Sequence, residues 1–168
     1  TRCKVSGTDS YAILVTSGDG VRVDHCDVQS NERGIGLSLD PGRSDNPVNT
    51  RIDHNYLHDF GGGQQGDNTH EPLQIGQTKT HTDIDVGAIV EYNLLERVSI
   101  DTECISVKSS GNTIRFNTVL DSEANITNRH GERNSYIANW IENSRGFMIH
   151  DRGNRLIGNR LINSGRFG

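Results

Sequence analysis

Residues 112–141 read NTIRFNTVLDSEANITNRHGERNSYIANWI, and they contain the same short unit twice. In NTIRFNTV, around Asn117, and in NSYIANWI, around Asn139, polar and apolar residues alternate before the central Asn. Another apolar residue follows the Asn after one intervening position. Alternation with a period of two is typical of β-strands, whose side chains point to two faces in turn. The sequence therefore predicts that each unit forms strands and that the two Asn residues occupy equivalent positions.

Four further units extend the pattern along the chain. They are VRVDHCDV around Cys26, TRIDHNYL around Asn55, AIVEYNLL around Asn93 and NRLIGNRL around Asn159. Successive central positions are 29, 38, 24, 22 and 20 residues apart. Six unrelated Asn turns would have to match in their flanks by chance. The pattern instead predicts an all-β fold, a right-handed parallel β-helix solenoid with coils of about 20–24 residues stacked about 4.8 Å apart.

The repeated Asn has a physical role in such a solenoid. At a corner between two strands the chain needs a left-handed or bridging conformation, which Asn tolerates better than most residues. Stacked from coil to coil, the amides are expected to hydrogen-bond to one another as an Asn ladder. The two longest spacings predict surface insertions at residues 40–47, 61–68 and 77–85. Loops that leave a rigid scaffold on one side often carry binding residues.

Composition agrees with a thin solenoid and excludes several functions. Only 32% of the 168 residues are hydrophobic, which is a low content for a compact single core, and 19 residues are Gly. The net charge of −5 argues against a general nucleic-acid binder. The sequence contains no run of 18 apolar residues, so it predicts no membrane-spanning helix. We expect a single domain over residues 1–168. Because neither end has an obvious cap, we expect it to be part of a longer β-helix, covered by neighbouring coils or chains.

Cysteine and histidine spacings do not indicate a metal or disulfide framework. The three Cys residues are odd in number and lack CxxC spacing. Cys3 and Cys26 are 23 residues apart, about one coil, so they could be stacked neighbours, free or bridged. Of the two, we expect buried thiols. His54 and His58 form HxxxH, but on a strand-turn unit the helical geometry of a zinc site is missing.

Residues 101–131 carry the candidate chemistry. Asp101 and Glu103 are two apart, so on a strand both carboxylates would point the same way. Lys108 and Arg129 are 21 residues apart, which is one coil, so they are expected side by side on the same wall. One coil earlier, Asn68 falls at a similar register. An amide oxygen and two carboxylates would suit Ca²⁺, a hard cation with flexible oxygen coordination.

Each of these residues also has a plainer interpretation. Lys108 can be an ordinary solvated charge on the wall, and the acidic pair can be solvated as well. Arg129 can pair with Glu123 or Glu132, which lie close to it in sequence. His130 is a better candidate for a packed neighbour of a site than for a catalyst.

The run DTECISVKSSGNT…NRHG resembles polysaccharide lyase family 6, the family of chondroitinase B and alginate lyases. That family has an acidic pair, a Lys-Ser, an Asn-Thr unit and an Arg-His-Gly in this order. It also has an Asn seven residues before an Ile-Gly pair, as Asn68 is before Ile75. RIDHNY at residues 51–56 is similar to the family too. The resemblance covers residues 21–159; its Lys-Ser and Arg-His-Gly parts are the more specific ones.

The resemblance implies a calcium-assisted β-helix enzyme that cleaves a uronate polymer by β-elimination. It implies the following roles: Lys108 as Brønsted base, Arg129 as acid, His130 with Arg145 and Arg152 in substrate binding, and Asn68, Asp101 and Glu103 as Ca²⁺ ligands. The sequence departs from the family at Asp101, where the family usually has Glu. It is also shorter than the family's members, which carry further substrate-binding arginines beyond this length; Arg145, Arg152 and Arg155 are the candidates to replace them.

The implied substrate is an anionic polysaccharide, alginate first and a dermatan- or chondroitin-type glycosaminoglycan second, with no nucleic-acid or membrane partner. Ca²⁺ on the substrate carboxylate would stabilise the enolate-like transition state. A lysine beside a metal ion and an arginine has its charged form disfavoured and so becomes a usable base. The resemblance also implies a secreted or periplasmic location. The alternatives are a non-catalytic carbohydrate-binding or structural β-helix segment and a uronate epimerase, because one fold hosts several activities.

Overall fold

A computed structural model describes residues 3–29, 32–61, 70–99 and 101–165. Within these ranges the chain is all β, apart from one 3₁₀ turn at Lys79–His81. The strands are β1 (Cys3–Ser6), β2 (Tyr11–Val15), β3 (Arg22–Asp24), β4 (Cys26–Gln29), β5 (Arg33–Leu37), β6 (Arg51–Asp53), β7 (Tyr56–Phe60), β8 (Leu73–Ile75), β9 (Ile89–Glu91), β10 (Leu94–Val98), β11 (Glu103–Lys108), β12 (Thr113–Arg115), β13 (Thr118–His130), β14 (Ser135–Ile137), β15 (Trp140–Ile149), β16 (Arg155–Ile157) and β17 (Arg160–Ile162).

The strands form three walls in which every neighbour is parallel. The first wall runs β1-β4-β7-β10-β13-β15-β17, and the second runs β2-β5-β8-β11-β13. The long strand β13 belongs to both walls because it continues past the corner between them. The third wall runs β3-β6-β9-β12-β14-β16. The chain visits the walls in turn, so the predicted parallel β-helix is confirmed.

The core is a narrow column of apolar side chains stacked in register. On the third wall Ile52, Val90, Ile114 and Tyr136 are consecutive partners in the pairing of β6, β9, β12 and β14. All four are completely buried. Their partner in the next coil, Leu156, is 49% exposed because no further coil of the described residues covers it. Each coil is thus stabilised mainly by apolar area shared with its two neighbours.

The left-handed conformation at the corner lies one position earlier than predicted. At this corner the residue before the repeated Asn is left-handed: His54, Tyr92, Phe116 and Ala138 have φ between 49° and 56°. The assignment of the left-handed conformation to Asn itself is therefore wrong. The turn at the preceding residue leaves the Asn side chain free to point into the solenoid, where it replaces missing backbone partners.

The Asn ladder itself is confirmed. The backbone N–H and the Nδ2 of Asn93 both donate to Oδ1 of Asn117, at 3.1 and 3.0 Å. Asn117 donates in the same way to Asn139, at 3.0 and 3.1 Å. Asn55 above and Asn159 below repeat the pattern. Each amide also donates to a backbone carbonyl on the adjoining wall, for example from Asn117 to Val90 at 2.9 Å.

Two further ladders occupy the other corners, and both were missed in the sequence. Their side chains accept from the backbone N–H of the equivalent residue one coil earlier. They are Asn112, Asn134 and Asn154 at one corner and Ser122, Ser144 and Ser164 at the other. All three corners are thus fixed by side-chain acceptors that satisfy buried N–H groups.

The ends of the described solenoid are less protected than its middle. In the last coil Leu156, Ile157 and Leu161 are each about half exposed, at 49%, 49% and 47%. Coverage by further coils or chains stays a prediction. At the other end Cys3 pairs with Cys26 in register, yet Cys3 is exposed, so the expectation of two buried thiols is wrong for Cys3. Among the residues described, no helix is long and apolar enough to cross a membrane.

Replacing Asn117 with Ala should lower the free energy of unfolding by about 3 kcal/mol, because buried N–H and C=O groups of Asn93 and Val90 lose their partners. The matched control is Asn159→Ala, on the half-exposed last rung, where water can replace the lost bonds. That change should cost only about 1 kcal/mol. Urea unfolding measures both. Equal losses at the two positions would contradict a role for ladder burial.

Candidate active site

The outer face of the second wall carries a row of one glycine and three polar residues. Gly36 on β5, Gln74 on β8, Ser106 on β11 and Thr127 on β13 are consecutive partners in the strand pairing. Their chain neighbours, such as Ile105, point inward to the core. The wall thus offers outward positions at every second residue, and the candidate residues occupy those at the strand ends.

A bulge in strand pairing sets the geometry around Lys108. Val107 pairs with Asn128, but the next pair is Lys108 with His130. Arg129 is the extra residue between them. The expectation that Lys108 lies directly beside Arg129 therefore needs correction: its partner is His130, and Arg129 lies in the bulge. Bulges redirect side chains in this way and are common beside active sites.

The bulge opens onto a pocket of about 210 Å³. It is lined by Gln77, Thr78, Lys79, Glu103, Lys108, Arg129 and His130. Four of the residues singled out in the sequence therefore meet in one place, although they come from two neighbouring coils. The remaining three belong to the insertion that follows β8.

Lys108 is a buried charge with a buried partner. Its side chain is only 10% exposed, and its Nζ donates to Oε1 of Glu71 at 2.7 Å. Glu71 is itself 1% exposed. The interpretation of Lys108 as a solvated surface charge is therefore wrong. A buried ion pair of this kind is strongly destabilised when one partner is removed, because the other charge is left in a medium of low polarity.

A chain of hydrogen bonds holds Glu71 in place. The Nε2 of Gln74 donates to Oε1 of Glu71 at 2.8 Å, and the hydroxyl of Tyr11 donates to Oε1 of Gln74. Tyr11 lies across Gly36, where an added Cβ would come within 2.4 Å of its ring. Nothing in the sequence marked Glu71 or Tyr11.

Arg129 pairs with Glu103. Its Nη1 lies 3.3 Å from Oε1 of Glu103, and its side chain is 38% exposed. Ser106 donates through Oγ to the other oxygen of Glu103 at 2.5 Å. The alternative partners considered for Arg129, Glu123 and Glu132, are not the ones it uses. The Arg129 side chain therefore stays partly accessible from the pocket.

The acidic residues lie in a surrounding that disfavours their charge. Burial raises the pKa of Asp101 and of Glu103 above the usual values, and the nearby carboxylate of Glu71 raises both further. Asp101 accepts from the backbone N–H groups of His70 and Glu103, at 3.3 and 3.2 Å. Asp101 precedes β11 and does not line the pocket, so the expected alternation of a strand does not align it with Glu103.

The oxygen atoms at this site fit a hard cation, but the described residues include only part of the predicted ligand set. Asn68 lies outside the described residues. In the ranges the structure covers, no three His, Cys, Asp or Glu side chains are grouped to hold a metal. However, Oε2 of Glu71 and Oγ1 of Thr127 are buried with no hydrogen-bond partner among those residues. Oxygen atoms of this kind, beside carboxylates of raised pKa, suit Ca²⁺ better than a softer metal.

The three residues predicted to bind substrate fall in different places. His130 lines the pocket. Burial lowers the pKa of its ring; the negative charge of Asp151 opposes this shift, and the positive charges of Arg129 and Lys108 add to it. Arg152 is 88% exposed and binds Oε1 of Glu132 at 2.7 Å. Arg145 lines a separate cavity of about 470 Å³ near the last coil. The structure therefore does not bring either arginine to the pocket.

Comparison with known proteins agrees with this fold. A sequence model described as Chondroitinase B matches residues 6–167. A search of curated proteins found no match. Among solved structures, the alginate lyase AlyF-OU02, in complex with G6, superposes with a TM-score of 0.68 at 24% identity over 95% of this chain and 35% of its own.

Two further structures are similar. A mannuronic acid specific polysaccharide family 6 lyase enzyme from human gut microbiota has a TM-score of 0.66 at 20% identity, over 93% of this chain and 49% of its own. The PL6 family alginate lyase AlyGC has 0.58 at 25% identity, over 86% and 23%. The chain thus spans less than half the length of these enzymes.

Replacing Glu71 with Ala should cost about 3 kcal/mol of unfolding free energy, because it leaves the Lys108 ammonium buried without a partner. Adding Lys108→Met should restore part of that loss, so the double variant should be more stable than Glu71→Ala alone. The control is Asp85→Ala, which breaks an exposed pair with Arg133 and should cost less than about 0.5 kcal/mol. Additive losses in the double variant would contradict the pairing.

Proposed function

Because the chain belongs to the chondroitinase B family of polysaccharide lyase family 6, we propose that it carries the catalytic wall of a lyase that cleaves an anionic uronate polymer by β-elimination. The observation that carries the proposal is the pocket shared by Lys108, Arg129 and His130. A buried amine, a partly exposed guanidinium and a partly buried imidazole lie together there, and the first two are paired with the carboxylates of Glu71 and Glu103. This combination of groups suits proton removal beside a carboxylate.

Lys108 is the proposed base. In β-elimination it takes the proton from C5 of the uronate, and the electron pair forms the C4–C5 double bond. An ammonium cannot accept that proton, so one of its own protons has to leave first. Oε1 of Glu71 lies 2.7 Å from Nζ and can take it. The ion pair thus gives Lys108 a proton acceptor within the protein, and Gln74 holds that acceptor in position.

Arg129 is proposed to assist the leaving group. As the C4–O bond breaks, negative charge develops on the glycosidic oxygen, which has to receive a proton or a strong hydrogen bond. One nitrogen of Arg129 is occupied by Glu103, and the accessible part of the guanidinium can donate to this oxygen. His130, with its lowered pKa, is neutral near pH 7 and can bind a sugar hydroxyl without adding charge.

The proposed Ca²⁺ ligands are Asn68, Asp101 and Glu103, and the unpaired oxygen of Glu71 is a further candidate. A bound Ca²⁺ would neutralise the substrate carboxylate and so make the C5 proton more acidic. Support comes from the raised pKa of Asp101 and Glu103, because a cation beside them would offset the cost of burying their charges. The shorter Asp101 is proposed to remain a ligand.

Alginate is the proposed substrate, since similar structures are named as alginate lyases and one as specific for mannuronic acid. A dermatan- or chondroitin-type glycosaminoglycan is the second candidate, from the name of the matching family. We also propose a secreted or periplasmic location, where such polymers are encountered.

The protein is expected to release unsaturated products from alginate or polymannuronate in the presence of Ca²⁺, measured by their ultraviolet absorbance. Lys108→Arg should lower kcat about a thousandfold, because a guanidinium keeps the pairing with Glu71 but cannot act as a base. The matched control is Lys4→Arg, at an exposed lysine paired with Asp27, which should retain the activity.

Two rival functions predict different products. A carbohydrate-binding or structural segment would bind the polymer without change, and Lys108→Arg would leave that binding intact. An epimerase would return the proton to the other face of C5 and alter the sugar without shortening the chain. If the native protein leaves the polymer uncleaved after incubation, that result would contradict the lyase proposal.

Calcium should raise the midpoint of thermal unfolding, and a chelator should reverse the rise, since an ion that binds only the folded state stabilises it. Asp101→Asn and Glu103→Gln should each reduce the rise. Glu132→Gln, at a carboxylate paired with the exposed Arg152, is the control and should leave it unchanged. Mg²⁺ should have a smaller effect because it demands a more regular site. An unfolding midpoint indifferent to Ca²⁺ would contradict metal binding.

A further inference from the structure

Lys79 differs from the other two lysines of the chain. Lys4 lies 3.7 Å from a carboxylate oxygen of Asp27, and Lys108 lies 2.7 Å from Glu71. Lys79 is exposed and forms no ion pair with any carboxylate among the described residues, yet it lines the same pocket as Lys108. A cation at the rim of a pocket that no described carboxylate pairs is available to an anionic ligand.

The backbone around Lys79 is firmly held although the residue lies in an insertion. Lys79 begins the 3₁₀ turn Lys79–His81, which Thr78 caps by accepting from the N–H of Thr80. The buried ring of His81 accepts through Nδ1 from the N–H of Gln77 at 3.0 Å. Burial lowers the pKa of His81, so the ring remains a neutral acceptor near pH 7.

The turn is also fastened to the wall beneath it. The Nε2 of Gln77 donates to the carbonyl of Leu37 at 2.8 Å, and the N–H of Leu39 donates to Oε1 of Gln77 at 3.0 Å. Gly76, with φ of +80°, passes so close that an added Cβ would lie 3.2 Å from the carbonyl oxygen of Lys108. The position of Lys79 is therefore tied to that of Lys108.

Charge in the pocket favours an extended polyanion. Lys79, Lys108 and Arg129 face one carboxylate, Glu103, which already binds Arg129. The chain as a whole carries −5, so this pocket is a local cationic region on an acidic protein. Lys108 is directed to Glu71 inside the wall, whereas Lys79 stands on the rim. One anionic group of a ligand would satisfy Lys79 without competing for the buried pair.

We propose that Lys79, with the Thr78 hydroxyl, forms a subsite for the carboxylate of the sugar next to the one that loses its proton. The subsite rests on the proposed function, because it supposes a uronate polymer in the pocket. Lys79 supplies affinity and selects for a charged neighbour, while Lys108 and Arg129 act on the reacting sugar. A polymer whose neighbouring sugar is neutral would gain nothing from Lys79.

The test compares Lys79→Gln with Lys4→Gln as a matched control in the lyase assay. Lys79→Gln should raise KM for an oligouronate about fivefold, the size of one partly exposed ion pair, with kcat within about twofold. Lys79→Arg should keep most of the affinity. Added salt should reduce the difference from the native protein, because it screens an exposed charge. An unchanged KM, or a loss confined to kcat, would overturn the subsite.

A second measurement separates failure of the subsite from failure of the proposed function. Calorimetric titration of a uronate hexasaccharide into Lys108→Arg and into the Lys108→Arg, Lys79→Gln double variant needs no catalysis. About fivefold weaker binding by the double variant supports the subsite even if the native protein cleaves nothing. Equal binding by the two overturns the subsite even if the native protein is an active lyase.

Discussion

In-register stacking of one coil on the next is the constraint on which this structure depends. Parallel strand pairing fixes the height of each coil, and the buried amides at the corners fix where each coil turns. Asn93, Asn117 and Asn139 form one such series, in which every amide accepts two hydrogen bonds from the Asn one coil earlier. A shift of one residue would turn core side chains outward, so the register is strongly specified.

That register decides which chemical groups meet. Lys108 and His130 are distant in sequence but lie opposite each other at adjoining strand ends, and one extra residue in β13 gives Arg129 its own direction. The second wall is closely packed around this site, so its buried charges need partners within the wall. Lys108 with Glu71 and Arg129 with Glu103 are the result. A rigid scaffold and paired charges together give a preorganised site, which lowers the cost of arranging groups during reaction.

Much of this arrangement could be predicted from the sequence, because it depends on periodicity. Alternation and the spacing of the repeated Asn predicted the walls, the ladder and the meeting of Lys108 with Arg129 in one pocket. Three features could not be predicted. The bulge at Arg129 changes the register by a single residue, Glu71 has no spacing that marks it, and Arg145 lines a different cavity, near the last coil. Local sequence does not encode such long-range contacts.

The most direct test of the account is a crystal structure of the Lys108→Arg variant with a bound uronate oligosaccharide. The account predicts that the sugar chain lies along the outer face of the second wall. One uronate should contact Arg129 and His130, and a carboxylate of its neighbour should contact Lys79. An oligosaccharide bound at another wall, or Arg129 and position 108 facing different surfaces, would contradict it.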